Sequence, residues 1–165
     1  DPELSRGLGD VYKRQKVNKC VAKGLSVIQG DADKDLSLYP EKSFEYVILS
    51  QTIQATLEPK KILYELTRIG EKVIVSIPNF GFWKVRLDLL FKGKMPITRK
   101  LNSTWFDTDN IHLCTILDFL ELCDQLNLTV KQTVTITSKK QKKFTGKPSI
   151  KENIFAEEAI FLIQD

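Results

Sequence analysis

The sequence predicts an α/β fold: an open sheet covered by helices. Three observations point there. A strand, an amphipathic helix and a second strand follow one another between Phe44 and Ile77, within about 35 residues. That run is the crossover unit of a parallel sheet. A further amphipathic pattern begins at Thr115. Two strand-like runs close the chain, Thr129 to Thr137 and Ala156 to Ile163, with the look of an antiparallel pair.

The elements can be justified in order. Residues 16–23 suit the end of a helix, with Gly24 as its stop. Leu25 to Gln29 reads as a short strand ending at Gly30-Asp31. Residues 31–43 are polar, contain Pro40, and read as loop. Phe44 to Leu49 is apolar enough for a strand buried on both faces. Pro59 suits a first helical position. Ile62, Leu63, Leu66 and Ile69 then share one face, and Gly70 closes the helix. Lys72 to Ile77 is the next strand, stopped by Pro78.

Asn79 to Asn110 is long for a connection and rich in aromatics, including Trp83 and Trp105. Connections of that length are usually lids or binding loops. Phe82 to Phe91 could form a short helix there, ended by Gly93 and Pro96. Thr115 and Asp118 have the spacing of a capping box, and Phe119, Leu122, Cys123 and Leu126 form the apolar face behind it. A lysine-rich segment, 139–151, is expected to be a solvated loop joining the last two strands as a long hairpin.

A length of 165 residues allows one domain and not comfortably two. Residues 16–165 are read as that domain. With 42% hydrophobic and 28% charged residues, a wholly disordered or fibrous chain is excluded. Apolar runs reach only four or five residues, far short of the roughly 20 a membrane helix needs, and no signal peptide is visible. Cys20, Cys114 and Cys123 are odd in number and widely spaced, which suggests neither a disulfide framework nor a metal site and fits a reducing, cytoplasmic compartment. The formal charge of +4 is concentrated in six lysines of the 139–151 segment, leaving the remainder near −2. A nucleic-acid partner is therefore not expected.

Residues 1–15 (DPELSRGLGDVYKRQ) show neither strand alternation nor a helical stripe. Gly7 and Gly9 lack the preceding buried strand that a phosphate-cradling loop needs. The string GLGDVYKRQ is similar to translated adapter sequence. Residues 1–15 are thus expected to be a foreign or disordered extension, on a natural protein truncated upstream of Lys16.

Ligands in open α/β sheets bind beyond the carboxyl ends of the strands, here Gly30-Asp31, Ser50-Gln51 and Pro78-Asn79. An acid after a strand, a loop with a proline, then Ser-Phe-x-Tyr-Val resembles class I S-adenosylmethionine (SAM) methyltransferases. The segments SQTIQAT (50–56), VSIPNFGFWKVRLDLLFKGKMP (75–96) and WFDTDNIHLCTILDF (105–119) resemble more specifically the MetW family of methionine-biosynthesis proteins. That resemblance covers roughly residues 16–165.

The resemblance implies a sheet of strand order 3-2-1-4-5-7-6 from which strands one and two are missing here, with a C-terminal antiparallel strand pair. Leu25 to Gln29 would be strand three, badly supported, and Phe44 to Leu49 strand four, with an exposed edge. It implies SAM as cofactor of the complete protein, bound weakly or not at all by this chain. Asp31 would accept from the adenine amino group and the Ala32 amide would meet a ring nitrogen; the plainer reading makes Asp31 a turn residue. Ser50 and Gln51 would lie along the methionine part. Asn79, Trp83, Trp105 and His112 would line a substrate site or lid, and His112, the sole histidine, is the one candidate base. Ordinary packing is the plainer reading for the tryptophans, and a structural hydrogen bond for His112. No metal site is implied. The function implied is that of partner or activator of a homoserine O-acyltransferase, with a SAM-dependent methyltransferase acting on a small molecule as the alternative.

Overall fold

The structure is a computed structural model that describes residues 18, 19, 21–24, 30–138 and 140–165. The chain falls into two units, residues 1–35 and 36–165. The expected extension 1–15 and the expected strand Leu25 to Gln29 lie outside the described residues.

In the first unit, residues 18, 19 and 21 are helical, and Gly24 takes a left-handed φ of 75°. Its N–H donates to Val21 O at 2.9 Å, so it stops the helix as expected. A single helical turn, α1 (Ala32–Asp35), follows.

The second unit holds a five-stranded sheet. Its strands are β1 (Phe44–Ser50), β2 (Gly70–Pro78), β3 (Thr129–Thr137), β4 (Lys140–Thr145) and β5 (Glu158–Gln164). The spatial order is β1-β2-β5-β3-β4. Only β1 and β2 are parallel; β5 enters antiparallel to β2, and β3 and β4 continue antiparallel. The expected terminal pair is therefore present, with β5 inserted between β2 and β3.

Helix α2 (Pro59–Ile69) connects β1 to β2, with Pro59 at its start. Its residues Ile62, Leu63, Leu66 and Ile69 are all buried. Helix α4 (Ile116–Gln125) covers the same face of the sheet, and its Phe119 ring stacks on Phe161 of β5 at 4.5 Å. The capping box is complete: Asp118 N–H donates to Thr115 Oγ1 at 3.3 Å, and Thr115 N–H to Asp118 Oδ2 at 2.8 Å. Under these helices lie Val73, Val75, Ile77, Phe161 and Ile163, each about 1% exposed or less. On the other face Tyr46 and Ile48 are exposed, and Ile74, Ile160 and Leu162 are only half-buried.

Gly70 closes α2 as expected, its N–H donating to Leu66 O, in extended rather than left-handed backbone. Its φ is −115°, and it is already the first residue of β2. A glycine is required for space: a Cβ there would stand 2.5 Å from Val47 Cγ2. Three expectations need correction. Strand β1 is not buried on both faces: it stands at the edge of the sheet, and Phe44, Tyr46 and Ile48 are exposed. Residues 31–43 are not all loop, since they hold α1 and a 3-10 turn at Leu36–Leu38. Nor is the lysine segment a loop. It supplies edge strand β4, hairpinned to β3, and then helix α5 (Ile150–Phe155), so β5 starts at Glu158. Exposed lysines on an edge strand discourage pairing with other chains. Lys142 of β4 also reaches Glu152 of α5 at 2.7 Å. Burial pushes the Glu152 carboxyl up, but hydrogen bonds from Lys142 and Ser149 outweigh it and hold the group below its ordinary value.

Asn79, the residue after β2, is 1% exposed and binds three separate segments. Its Nδ2 donates to Asn153 O and Ala156 O, each at 2.8 Å. Its Oδ1 accepts from Gly81 N–H at 2.9 Å and Ile116 N–H at 3.3 Å. Asn79→Ala would leave four buried backbone groups unpaired. It should cost on the order of 3 kcal/mol in urea unfolding. Asn79→Asp should also destabilise, because its carboxylate would face two carbonyl oxygens. A loss under about 1 kcal/mol in both variants would show that this amide does not tie the segments together.

Candidate functional site

The carboxyl ends of β1 and β2 meet β5 at its start, since Pro78 pairs with Glu158. Ser50 ends β1, and Gln51 turns the chain with a left-handed φ of 49°. That conformation costs an L-residue roughly 1–2 kcal/mol, so neighbours must hold it. Gln51 N–H donates to Ser76 O at 3.0 Å and lies 2.9 Å from Ser76 Oγ. Ser76 Oγ in turn lies 3.5 Å from Ser50 Oγ. Gln51 Nε2 donates to Glu158 Oε1, and Lys100 from the long connection pairs with Glu158 Oε2. Glu158 is 5% exposed. A buried carboxylate with an amide on one oxygen and an ammonium on the other is satisfied in charge and hydrogen bonding.

A short 3-10 turn, Ile53–Ala55, extends the site. Gln54 Nε2 donates to Gln51 O at 2.9 Å, and Gln54 O accepts from both Ile111 N–H and His112 N–H at 2.9 Å. Gln54 Oε1 is buried with no hydrogen-bond partner among the described residues. His112 is exposed at the rim of a cavity of about 150 Å³, shared with Ile53, Pro59, Cys114 and Phe119.

The structure therefore brings Ser50, Gln51 and His112 into one connected region. Asn79 adjoins it, because Phe80 N–H donates to Cys114 O at 3.1 Å, but the Asn79 side chain is spent on the fold. Trp83 is half-exposed at the start of α3 (Trp83–Lys92), packed edge-on against Phe82 at 5.6 Å. Trp105 is exposed and lines a separate cleft with Phe80, Met95 and Leu113.

Asp31 and Ala32 belong to the first unit and are described there. Asp31 O accepts from Lys34 N–H at 3.0 Å and Asp35 N–H at 2.8 Å, so Asp31 opens the α1 turn. Its Oδ1 accepts from Asp33 N–H at 3.1 Å, and its Oδ2 lies 3.1 Å from Lys34 Nζ. Those contacts match the turn-residue reading. The side chain is also half-exposed.

Sequence reading missed Glu158 and Lys100. They are 58 residues apart, and nothing local marks either. The one available signal was an acid opening an otherwise apolar strand. Among the described residues, no three His, Cys, Asp or Glu side chains gather as metal ligands. Among the same residues, no helix is long and apolar enough to cross a membrane.

Comparison with known proteins agrees with this architecture. The family model "Methionine biosynthesis protein MetW" matches residues 4–163, beginning twelve residues before the motif resemblance does. A relative from Rhodopirellula baltica, the bifunctional methionine biosynthesis protein MetXA/MetW, is 32% identical over 130 residues. The match covers 78% of this chain but only 21% of that protein, so the chain spans about a fifth of its relative. A SAM-dependent methyltransferase from Thermotoga maritima, described as a possible histamine N-methyltransferase, superposes with a TM-score of 0.59 at 15% identity, covering 90% of this chain and 67% of that one. One from Archaeoglobus fulgidus gives 0.55 at 10% identity, covering 93% and 82%. At such identities the likeness is one of fold. The chain belongs to the MetW family of methionine-biosynthesis proteins and has a methyltransferase-like fold.

Two outcomes check the site. Glu158→Gln removes the charge that neutralises Lys100 and should lower unfolding stability by about 1–3 kcal/mol in urea titration; an unchanged midpoint would show the pair is idle. Burial pushes the Cys114 thiol up to about 11, with Asp118 adding to it. Burial pushes Cys123 up to about 12, with Asp124 adding and Lys147 opposing. Both should stay protonated at pH 8. In a Cys20→Ser background, iodoacetamide should label them at least about tenfold more slowly folded than in urea. Fast labelling of the folded chain would contradict the closed packing around them.

Proposed function

We propose that this chain serves methionine biosynthesis as the partner or activator of a homoserine O-acyltransferase, on a fold that takes SAM as a ligand reporting the pathway's end product. The observation that carries this reading is the Rhodopirellula protein, in which a MetW part and a MetXA part share one polypeptide. We take the MetXA part as the acyltransferase. Joining two parts in one chain raises their effective concentration, which is of use where the parts work against each other's surfaces.

The sheet supports the SAM part of the reading. The order β1-β2-β5-β3, with β5 antiparallel, follows strands 4-5-7-6 of the methyltransferase sheet, and β4 extends it at the edge. On this reading SAM is the cofactor of the complete protein, bound weakly or not at all by this chain. Asp31 and the Ala32 amide would hold adenine, while Ser50 and Gln51 would line the methionine part. Their donor and acceptor chemistry fits: an exposed serine hydroxyl, a half-exposed carboxylate and a strained polar turn. When bound, SAM supplies a methyl group on a sulfonium. The chain's own groups favour sensing over transfer. The Gln51 amide cannot take a proton, and its Nε2 is held by Glu158. Asn79, Trp83, Trp105 and His112 remain the residues proposed for a substrate or lid, with His112 the base if methyl transfer occurs. A cytoplasmic location follows from the pathway.

The test uses the acyltransferase of the source organism and this chain completed with a natural N-terminal region. Homoserine acylation is measured with and without the completed chain, and with and without SAM. The expected result is a co-purifying complex, a severalfold change in acylation, and a further change with SAM that Asp31→Ala abolishes. No complex and unchanged acylation would overturn the partner reading. Label transfer from SAM to a small molecule, with acylation unaffected, would put the methyltransferase in its place.

A further inference from the structure

The long connection carries an apolar surface that the sheet does not use. Helix α3 is pinned on one side only: Val85 is 2% exposed and packs with Phe82 and Leu101, and Arg86 Nε donates to Gly81 O at 2.6 Å. Trp83, Leu87, Leu90 and Phe91 follow at helical spacings of four, three and one, so they share the opposite side. They are 43%, 41%, 73% and 78% exposed. An amphipathic helix normally turns such a stripe inward; here it points to solvent. A left-handed Gly93, φ 60°, caps the helix, its N–H donating to Leu89 O.

The charges around the stripe have one sign. Lys84, Arg86 and Lys94 flank it, and among the described residues none of the three pairs with a carboxylate. The helix's one acid, Asp88, is neutralised by Lys92 at 2.6 Å. Anchors at i, i+4, i+7 and i+8 with a basic border are the pattern by which a helix seats in an apolar groove whose rim carries carboxylates.

We infer that the outward face of α3 is the docking surface for the acyltransferase, whose complementary site is an apolar groove bordered by Asp and Glu. This rests on the partner reading above and assigns it a surface. Trp83 and Phe91 are the expected anchors, since large aromatics on a preordered element lose little entropy on binding. A protein groove is favoured over an anionic bilayer because the Rhodopirellula relative joins its MetW part to another protein part.

The test compares four forms of the full chain: unchanged, Leu90→Asp/Phe91→Asp, Lys84→Glu/Lys94→Glu, and the control Leu38→Asp, an exposed apolar site near the start of β1. Affinity for the purified acyltransferase is measured by calorimetry at two salt concentrations, with circular dichroism as the fold check. The expected result is binding by the unchanged and control chains, a loss of about 100-fold or more in the apolar variant, and a smaller, salt-dependent loss in the charge reversal. The charge reversal keeps the test decisive should the apolar variant misfold. Equal binding by all four would overturn the inference while leaving the partner reading intact. No binding by the unchanged chain would overturn both. Binding of phosphatidylglycerol vesicles, or self-association, that is lost in the apolar variant while acyltransferase affinity is unchanged would assign the face to a membrane or a second copy and overturn the inference.

Discussion

One buried amide holds the carboxyl end of this sheet together. Asn79 follows directly on β2, and its four hydrogen bonds go to the entry of α3, the first turn of α4, and α5 with the residue that follows it. Each of those segments has backbone groups that water cannot reach. The amide is the one side chain that can donate twice and accept twice at a single point. Gly81 belongs to the same constraint. A Cβ there would come within 2.9 Å of the Asn79 oxygen, so the chain must pass as bare backbone. Fixing this point sets where the long connection leaves the sheet and where it returns. It thereby sets where α3 and the Trp105 segment stand.

The turn after β1 depends on that fixed point. β5 starts two residues after Ala156, whose carbonyl Asn79 holds, so Glu158 is delivered beside Pro78. Glu158 then holds Gln51 in a backbone conformation that glutamine does not choose by itself. A carboxylate from the end of the chain thus shapes the turn after β1, more than a hundred residues earlier, and the lysine that neutralises it comes from the long connection.

How much of this was legible in the sequence divides by distance along the chain. The Pro59 start, the Ile62-Leu63-Leu66-Ile69 face, the Thr115–Asp118 cap and the two parallel strands were all readable, because each rests on residues within a few positions of one another. Gly70 was readable as the helix stop, whereas the contact that demands a glycine there is with Val47 on the neighbouring strand. Strand β4 looked like a solvated lysine run because its stabilising partners are the backbone of β3 and the acid of α5, and a lysine-rich edge has no apolar alternation to display. Glu158 and Lys100 could not be connected before the fold was known. The roles of Asn79 also differ by scale: the sequence placed it beside a pocket, and the structure shows its amide occupied by the scaffold of that region.

The same logic separates the two apolar surfaces left outside the core. The open face of the sheet, with Tyr46 and Ile48 exposed, is generic: alternation along a strand always places side chains on both sides, and half-buried neighbours dilute it. The stripe on α3 is not generic. A ten-residue helix in a long connection needs only one buried contact stripe to stay in place, and Val85 with Phe82 and Leu101 provides it. Nothing in folding requires four large apolar side chains on the opposite side, and exposing them carries a solubility cost. Basic residues beside them reduce nonspecific association with other cationic surfaces and select for anionic ones. A surface that is expensive to expose and bordered by charge of one sign is explained by what covers it.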